Sequence, residues 1–310
     1  MDAKQEYDRR IAELRPVNFS KPWFQAACEV LDEMSWRGGR ALNLCCGNNE
    51  LSTILRDHFQ ATVTAADVVP RSVEHAASCG FDAFLVDLDK PDSRAQAMEK
   101  HREQFDLVVC TDAIEHIFDT NGFFFFCHSV LKKGGYLLIT TPNISFIGNR
   151  IYSELRGGVP LSANNHHITF WNYKSLFIYM LSYGFTDIHD ESRYYPERYT
   201  TGRLRYLIGQ RLRKMLEKAY DFSGRYQGTS WLKSFVTNEL LVIAKKTEEI
   251  TFSLPLTFLD LDSMPKEKLG ELLKRCAIMN DKRALKQHPG AYELFLKLGK
   301  QLKSGKDNRD

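Results

Sequence analysis

Apolar positions along the chain follow two recurring patterns. Short, nearly continuous apolar runs occupy residues 41–45, 62–66, 83–86, 106–110 and 135–140. Each is too short for a helix and apolar on both sides, which predicts strands buried on both faces. Between them the period changes to that of a helix. After Pro22 the stretch 22–35 places Phe24, Ala27, Val30, Leu31 and Met34 on one face, and 50–59 does the same with Leu51, Ile54, Leu55 and Phe59. A short helix is predicted over 71–78, and a very apolar one over 122–132 that stops at Gly134-Gly135. Residues 3–14 also have helical spacing. Strands alternating with helices predict an α/β fold with a mostly parallel sheet and helices on both faces. Such sheets bind ligands at the carboxyl ends of their strands, near the point where the strand order reverses.

Beyond Pro142 the alternation stops. Residues 143–165, with Gly148, Gly157, Gly158 and Pro160, suggest a loop or lid. A helix over 173–183 ends at Gly184, and strands follow at 185–190 and 239–245. The segment between these strands is basic, with eight Lys/Arg against two acids over 193–218. Within it, 203–219 carries Leu204, Leu207, Ile208, Leu212, Met215, Leu216 and Ala219 on one stripe. Arg203, Arg205, Arg211, Arg213, Lys214 and Lys218 lie around the other face. Two readings stay open for it: a helix packed over a substrate cleft, or a peripheral membrane contact. Tyr194, Tyr195, Tyr199 and Tyr206 line a pocket in one reading and simply pack a strand end in the other. The expected organisation is a domain over 1–248, with a lid at 143–170 and a basic helical insertion at 193–235. A helical C-terminal extension over 249–302 and a disordered charged tail over 303–310 follow.

Composition narrows the function classes. With 310 residues, 43% of them hydrophobic, the chain can bury a sizeable core. No apolar run approaches the roughly 20 residues of a membrane span, and the polar start lacks the pattern of a secretory signal, so the expectation is cytoplasmic. The seven cysteines form neither a disulfide framework nor a zinc-spaced cluster with histidine, so no metal is expected. A formal net charge of +3 does not by itself imply nucleic acid, and no compact aromatic–basic platform lies outside the insertion.

The candidate chemistry starts at residues 41–50, where an apolar strand runs through Asn43, Leu44, Cys45 and Cys46 into Gly47 and then directly into a helix. About twenty residues after Gly47 a second strand ends in Asp67, the separation at which a carboxylate meets ribose hydroxyls while turn N–H groups and a helix N-terminus hold the rest of a nucleotide-like cofactor. A dinucleotide site needs a fuller set of glycines than Gly47 alone.

Several further blocks, in order, give the chain a family likeness. Leu42-Asn43-Leu44-Cys45-Cys46-Gly47-Asn48, Ala65-Ala66-Asp67-Val68-Val69-Pro70 and Phe84-Leu85-Val86-Asp87 come first. Then come Phe105 to His116 (FDLVVCTDAIEH), Leu131-Lys132-Lys133-Gly134-Gly135 and His167-Ile168-Thr169-Phe170-Trp171 before a helix ending at Gly184-Phe185. Over about half its length the chain resembles class I S-adenosylmethionine (SAM) dependent methyltransferases, in particular the ubiquinone-biosynthesis O-methyltransferase and small-molecule or sugar methyltransferase group. The resemblance implies a Rossmann-like seven-stranded sheet whose last strand, 239–245, is antiparallel. It also implies SAM as cofactor, held by Asn43, Cys45, Gly47, Asp67, Asp87, Leu88, Thr111 and Asp112. At the turn the chain departs from the family pattern. Asn43 stands for an acid, Cys45 for the first glycine and Asn49 for the last. Asn tolerates positive φ best among the non-glycine residues, so Asn49 is expected to keep the turn, while Cys45 narrows it.

Methyl transfer requires the acceptor behind the methyl carbon and, for a hydroxyl, removal of a proton. His166 and His167 are the expected base candidates, with pinning of the lid as the duller alternative. Glu115 and His116 are expected to brace a helix start. The acceptor implied is a hydroxyl of a small molecule, sugar or glycolipid. Two alternatives remain at this level: a methyltransferase-like scaffold that acts through partner binding, or a methyltransferase of nucleic acid or protein.

Overall fold

The computed structural model describes residues 21–157, 167–195, 215–216, 218–220 and 231–246. The chain divides into two units, Met1–Thr251 and Phe252–Asp310. The expected helix 3–14, nearly all of the insertion helix 203–219, the C-terminal extension and the tail lie outside the described residues, as do Tyr199 and Tyr206.

Seven strands form one sheet: β1 (Arg40–Leu44), β2 (Thr62–Asp67), β3 (Asp82–Leu85), β4 (Phe105–Thr111), β5 (Leu131–Pro142), β6 (Phe185–Asp190) and β7 (Glu239–Lys246). Their order is β3-β2-β1-β4-β5-β7-β6. The pairs β1·β2, β1·β4, β2·β3 and β4·β5 are parallel. β7 enters antiparallel between β5 and β6, as expected of the last strand. Eight α-helices are described: α1 (Pro22–Glu33), α2 (Glu50–Asp57), α3 (Pro70–Ser78), α4 (Pro91–His101), α5 (Thr120–Val130), α6 (Ile147–Arg156), α7 (Tyr173–Ser182) and α8 (Trp231–Val236). None is long and apolar enough to cross a membrane.

The period of two along each strand sorts the core into two layers. Leu42, Leu44, Val108, Cys110, Leu137, Ile139, Leu240, Val242 and Ala244 face one way, beneath Phe123, Phe124 and Phe126 of α5 and Leu176 and Met180 of α7. Ala41, Leu107, Val109, Leu138, Leu241 and Ile243 face the other, against Ala27, Val30 and Leu31 of α1 and Leu55 of α2. Burial on both faces accounts for the near-continuous apolar runs. Helix starts are coded locally. Pro opens α1, α3 and α4, where its missing N–H costs nothing. Asp119 accepts Gly122 N–H at 2.8 Å to cap α5, and Asn172 with Ser175 forms a capping box on α7.

Two expectations need correction. The apolar helix ends at Val130, not 132, and β5 begins at Leu131 rather than 135. Gly134, at φ +78, lets β5 bulge while staying paired to β4. At Gly135 an added Cβ would stand 3.1 Å from Asp106 O, so the two glycines serve the strand pairing rather than a helix stop. The stretch expected as a loop or lid contains α6. Asn149 is buried and donates to Asn143 O at 2.7 Å, and Gly157, at φ +64, closes the helix as a C-terminal glycine does. α4 has no apolar pattern that predicts it, because its buried positions include Arg94 and His101.

Candidate functional site

The loops after β1, β2, β3, β4 and β5 share one end of the parallel strands, where the order reverses between β1 and β4. The turn after β1 bends through three left-handed residues, Cys45 (φ +60), Gly47 (φ +51) and Asn49 (φ +62). Cys46 N–H donates to Ala66 O at 3.1 Å and Gly47 N–H to Asp67 Oδ2 at 3.0 Å, so the turn is laced to the end of β2. The second Asp67 oxygen accepts Val69 N–H at 2.9 Å. Asp67 is only 2% exposed, at the end of its strand. Open space lies where a Cβ on Gly47 would stand.

The departures from the family pattern are absorbed by a buried polar network. Asn43 donates to Ser52 Oγ at 2.8 Å, Ser52 donates to Asn49 Oδ1 at 3.2 Å, and Asn49 donates to Ser72 O at 3.4 Å. Asn43 therefore fixes α2 against β1, with its side-chain N–H committed to Ser52. Asn49 takes the left-handed conformation expected of it and starts α2. Ser52 carried no sequence signal, because its role exists only through these tertiary contacts.

The two turn cysteines are held neutral. A hydrogen bond to the Cys110 thiol, together with burial, pushes Cys45 up well above its ordinary value. Burial and the negative charge of Asp67 do the same for Cys46. Neither thiol is poised as a nucleophile.

Beyond β3, Asp87 accepts Asp89 N–H at 3.2 Å and pairs with Lys90 at 2.9 Å, and Ser93 Oγ accepts Asp87 N–H at 2.9 Å. Its carboxylate thus shapes its own loop. Leu88 is buried, and its carbonyl accepts from Arg94, which also pairs with Asp119 at 2.6 Å. Asp89 Oδ1 in turn accepts the N–H groups of Phe118 and Asp119, both at 2.9 Å, binding the β3 loop to the β4 loop. Thr111 ends β4, half-buried. Asp112 follows at φ +50, with its N–H donated to Thr140 O at 3.0 Å.

The β4 loop continues into a 3-10 turn, Ile114–His116. Glu115 is buried; Thr141 Oγ1 donates to its Oε2 at 2.9 Å, and its backbone carbonyl accepts Ile168 N–H at 2.8 Å and Thr169 N–H at 3.0 Å. Thr169 Oγ1 also donates to Ile114 O at 2.9 Å. These bonds clamp residues 167–169 onto the turn. They bring His167 Nε2 to 3.9 Å from Glu115 Oε1 and its ring to 4.8 Å from that of His116. Among the described residues this is one place where donor side chains converge: one donor atom each from Glu115, His116 and His167 lie within 4.8 Å of one another. Glu115 and His116 were expected to brace a helix start; both lie in this 3-10 turn, with His167 beside them. Thr141, which sequence reasoning missed, was foreshadowed by a polar pair, Thr140-Thr141, closing an otherwise apolar strand. His166 lies outside the described residues.

Comparisons with known proteins identify the domain. A family model described as a methyltransferase domain matches residues 4–190. A ubiquinone biosynthesis O-methyltransferase of Xylella fastidiosa is 32% identical over 118 residues, covering 37% of this chain and 46% of the relative. A protein of the same description from Cereibacter sphaeroides is 29% identical over 110 residues, covering 36% and 44%. The chain thus spans less than half the length of these curated relatives. Among solved structures, a complex of the Haloferax volcanii Trm112 methyltransferase activator with a methyltransferase matches with a TM-score of 0.53 and 15% identity, over 78% of this chain and 98% of that one. At that identity the likeness concerns the fold.

Proposed function

The chain belongs to the methyltransferase-domain family of class I SAM-dependent enzymes, and on that premise we propose that it transfers a methyl group from SAM to a hydroxyl of a small-molecule, sugar or glycolipid acceptor. The observation that carries the cofactor is the Gly47–Asp67 link beside open space. The donor set there suits the group: a buried carboxylate for a ribose diol, the N-terminus of α2 for a carboxylate, and no glycine-rich cradle for a phosphate. Asp67, Gly47 and Cys45 would hold the ribose and amino-acid portions, with the backbone around Leu88 beside the base. Thr111 and Asp112, at the end of β4, would face the reacting end.

Bound SAM supplies a methyl carbon on a sulfonium, which needs no further activation. What remains for the protein is to align the acceptor, exclude water and take up a hydroxyl proton. His167, held at the mouth of β4 and β5, is the residue assigned to that proton. Hydroxyl rather than nitrogen or carbon as acceptor is supported by the O-methyltransferase names of the curated relatives. Calorimetric titration of the full chain with SAM and S-adenosylhomocysteine tests the reading. Binding of both is expected, and absence of heat at high micromolar ligand would overturn it in favour of a non-catalytic, partner-binding scaffold.

A further inference from the structure

We propose that Lys21 and Glu50 together recognise the α-amino-acid end of the cofactor, Glu50 taking its ammonium and Lys21 its carboxylate. The pairing rests on the SAM reading of the β1 turn. Glu50 is the first residue of α2 and follows that turn directly. Its side chain is 3% exposed although it carries a carboxylate, and it accepts a hydrogen bond from Lys21 Nζ, whose side chain is 30% exposed. Lys21 is placed by the start of α1. Its carbonyl accepts Phe24 N–H at 3.0 Å, and its Nζ lies 4.8 Å from the centre of the Phe24 ring. One ion pair thus brings a cation from α1 beside the turn, across 29 residues of chain.

The chemistry of the head group selects this pair. An α-amino acid is a zwitterion near neutral pH, so its site needs an anion and a cation held close together. At position 43, where an acid was expected, Asn43 commits its amide to Ser52. Asp67 already accepts the Gly47 and Val69 N–H groups and stands at the ribose position. Of the carboxylates at the β1 turn and the end of β2, that leaves Glu50. The N-terminus of α2 favours its charge. A lysine ammonium has three donors, so Lys21 can bond Glu50 and still donate to a second carboxylate. The zwitterion would lie against the pair with opposite charges facing, each contact a charge-assisted hydrogen bond. A buried ion pair adds little net stability, because both partners give up water. A plain brace between α1 and α2 is therefore the weaker account.

The test is calorimetric titration of the full chain with S-adenosylhomocysteine, which has the whole head, decarboxylated SAM, which has the amine alone, and 5′-methylthioadenosine, which has neither. Glu50→Gln is expected to weaken the first two by about tenfold or more, and Lys21→Met the first alone. Binding of 5′-methylthioadenosine should be the same in both variants as in the wild type. An S-adenosylhomocysteine affinity unchanged in both variants would overturn the proposal. So would an equal loss for all three ligands, the result of a pair that only braces α1 on α2. Loss in Glu50→Gln alone would overturn the role of Lys21. Lys21 is partly exposed, so Lys21→Met decides the matter by the same comparison if Glu50→Gln does not fold. A wild type that binds 5′-methylthioadenosine as tightly as S-adenosylhomocysteine would sink head-group recognition and leave the SAM reading standing. A wild type that binds none of the three would sink the SAM reading itself.

Discussion

The Asp67 carboxylate accepts the Gly47 N–H at 3.0 Å and so joins the ends of two strands across 20 residues of chain. One side chain thereby shapes the turn and presents the acid at its side. Asp67→Ala should accordingly do two things. It should strand the Gly47 and Val69 N–H groups, costing about 1–3 kcal/mol in urea unfolding. It should also weaken SAM by tenfold or more in calorimetry. Lost stability with unchanged affinity would leave Asp67 as a purely structural brace.

Cys45 adopts φ +60, a conformation that costs a non-glycine residue roughly 1–2 kcal/mol. Cys45→Gly removes that cost but gives up about 0.4–1 kcal/mol through the unfolded state, so its stability should change little while the turn gains room. Cys45→Val, branched at Cβ, should destabilise by at least about 1 kcal/mol. Denaturant midpoints of the two variants, set beside their SAM affinities, separate strain from crowding.

Asn49 combines a left-handed backbone with hydrogen bonds to Ser52 and Ser72. Asn49→Gly keeps the conformation and loses the bonds; Asn49→Ala loses both. The expected order of stability is wild type, then glycine, then alanine, with steps of about 1 kcal/mol each. Equal melting temperatures for the two variants would show that the backbone conformation contributes nothing.

Alkaline pH should unfold this domain early. Burial pushes the Cys28 thiol up to about 11 from an ordinary 9.0, and the Tyr183 phenol up to about 12 from 10.0. Tyr173, Tyr195 and Cys46 are raised further, again mainly by burial. The folded state keeps these protons to higher pH than the unfolded chain does. Stability is therefore complete below pH 9 and falls as pH rises through 9 to 12. A melting temperature that is flat up to pH 9 and then declines is expected. Cys28→Ala should blunt the onset of that decline.

Much of the fold was legible because burial on both faces of a parallel sheet writes itself as apolar runs, and because Pro22, Pro70 and Gly184 mark helix ends. What was not legible depended on contacts distant in sequence. α4 buries Arg94 and His101, so its inner face lacks apolar contrast. α6 was obscured by glycines that pack against Phe146 or close the helix. At the site, the order of blocks singled out Gly47 and Asp67. The fixing of Asn43 by Ser52 and of Glu115 by Thr141 arises only when β1, α2, the 3-10 turn and β5 are folded together.

β7 sits between β5 and β6 although it is the last of the seven in the chain. Until residue 246 has left the ribosome, β5 has an open edge with Leu137, Leu138 and Ile139 along it, and β6 has no strand to join. The sheet is therefore completed late in synthesis, by closing a loop of nearly fifty residues between β6 and β7. A chain cut short before that point would leave the β5 edge unpaired, open to pairing with another strand.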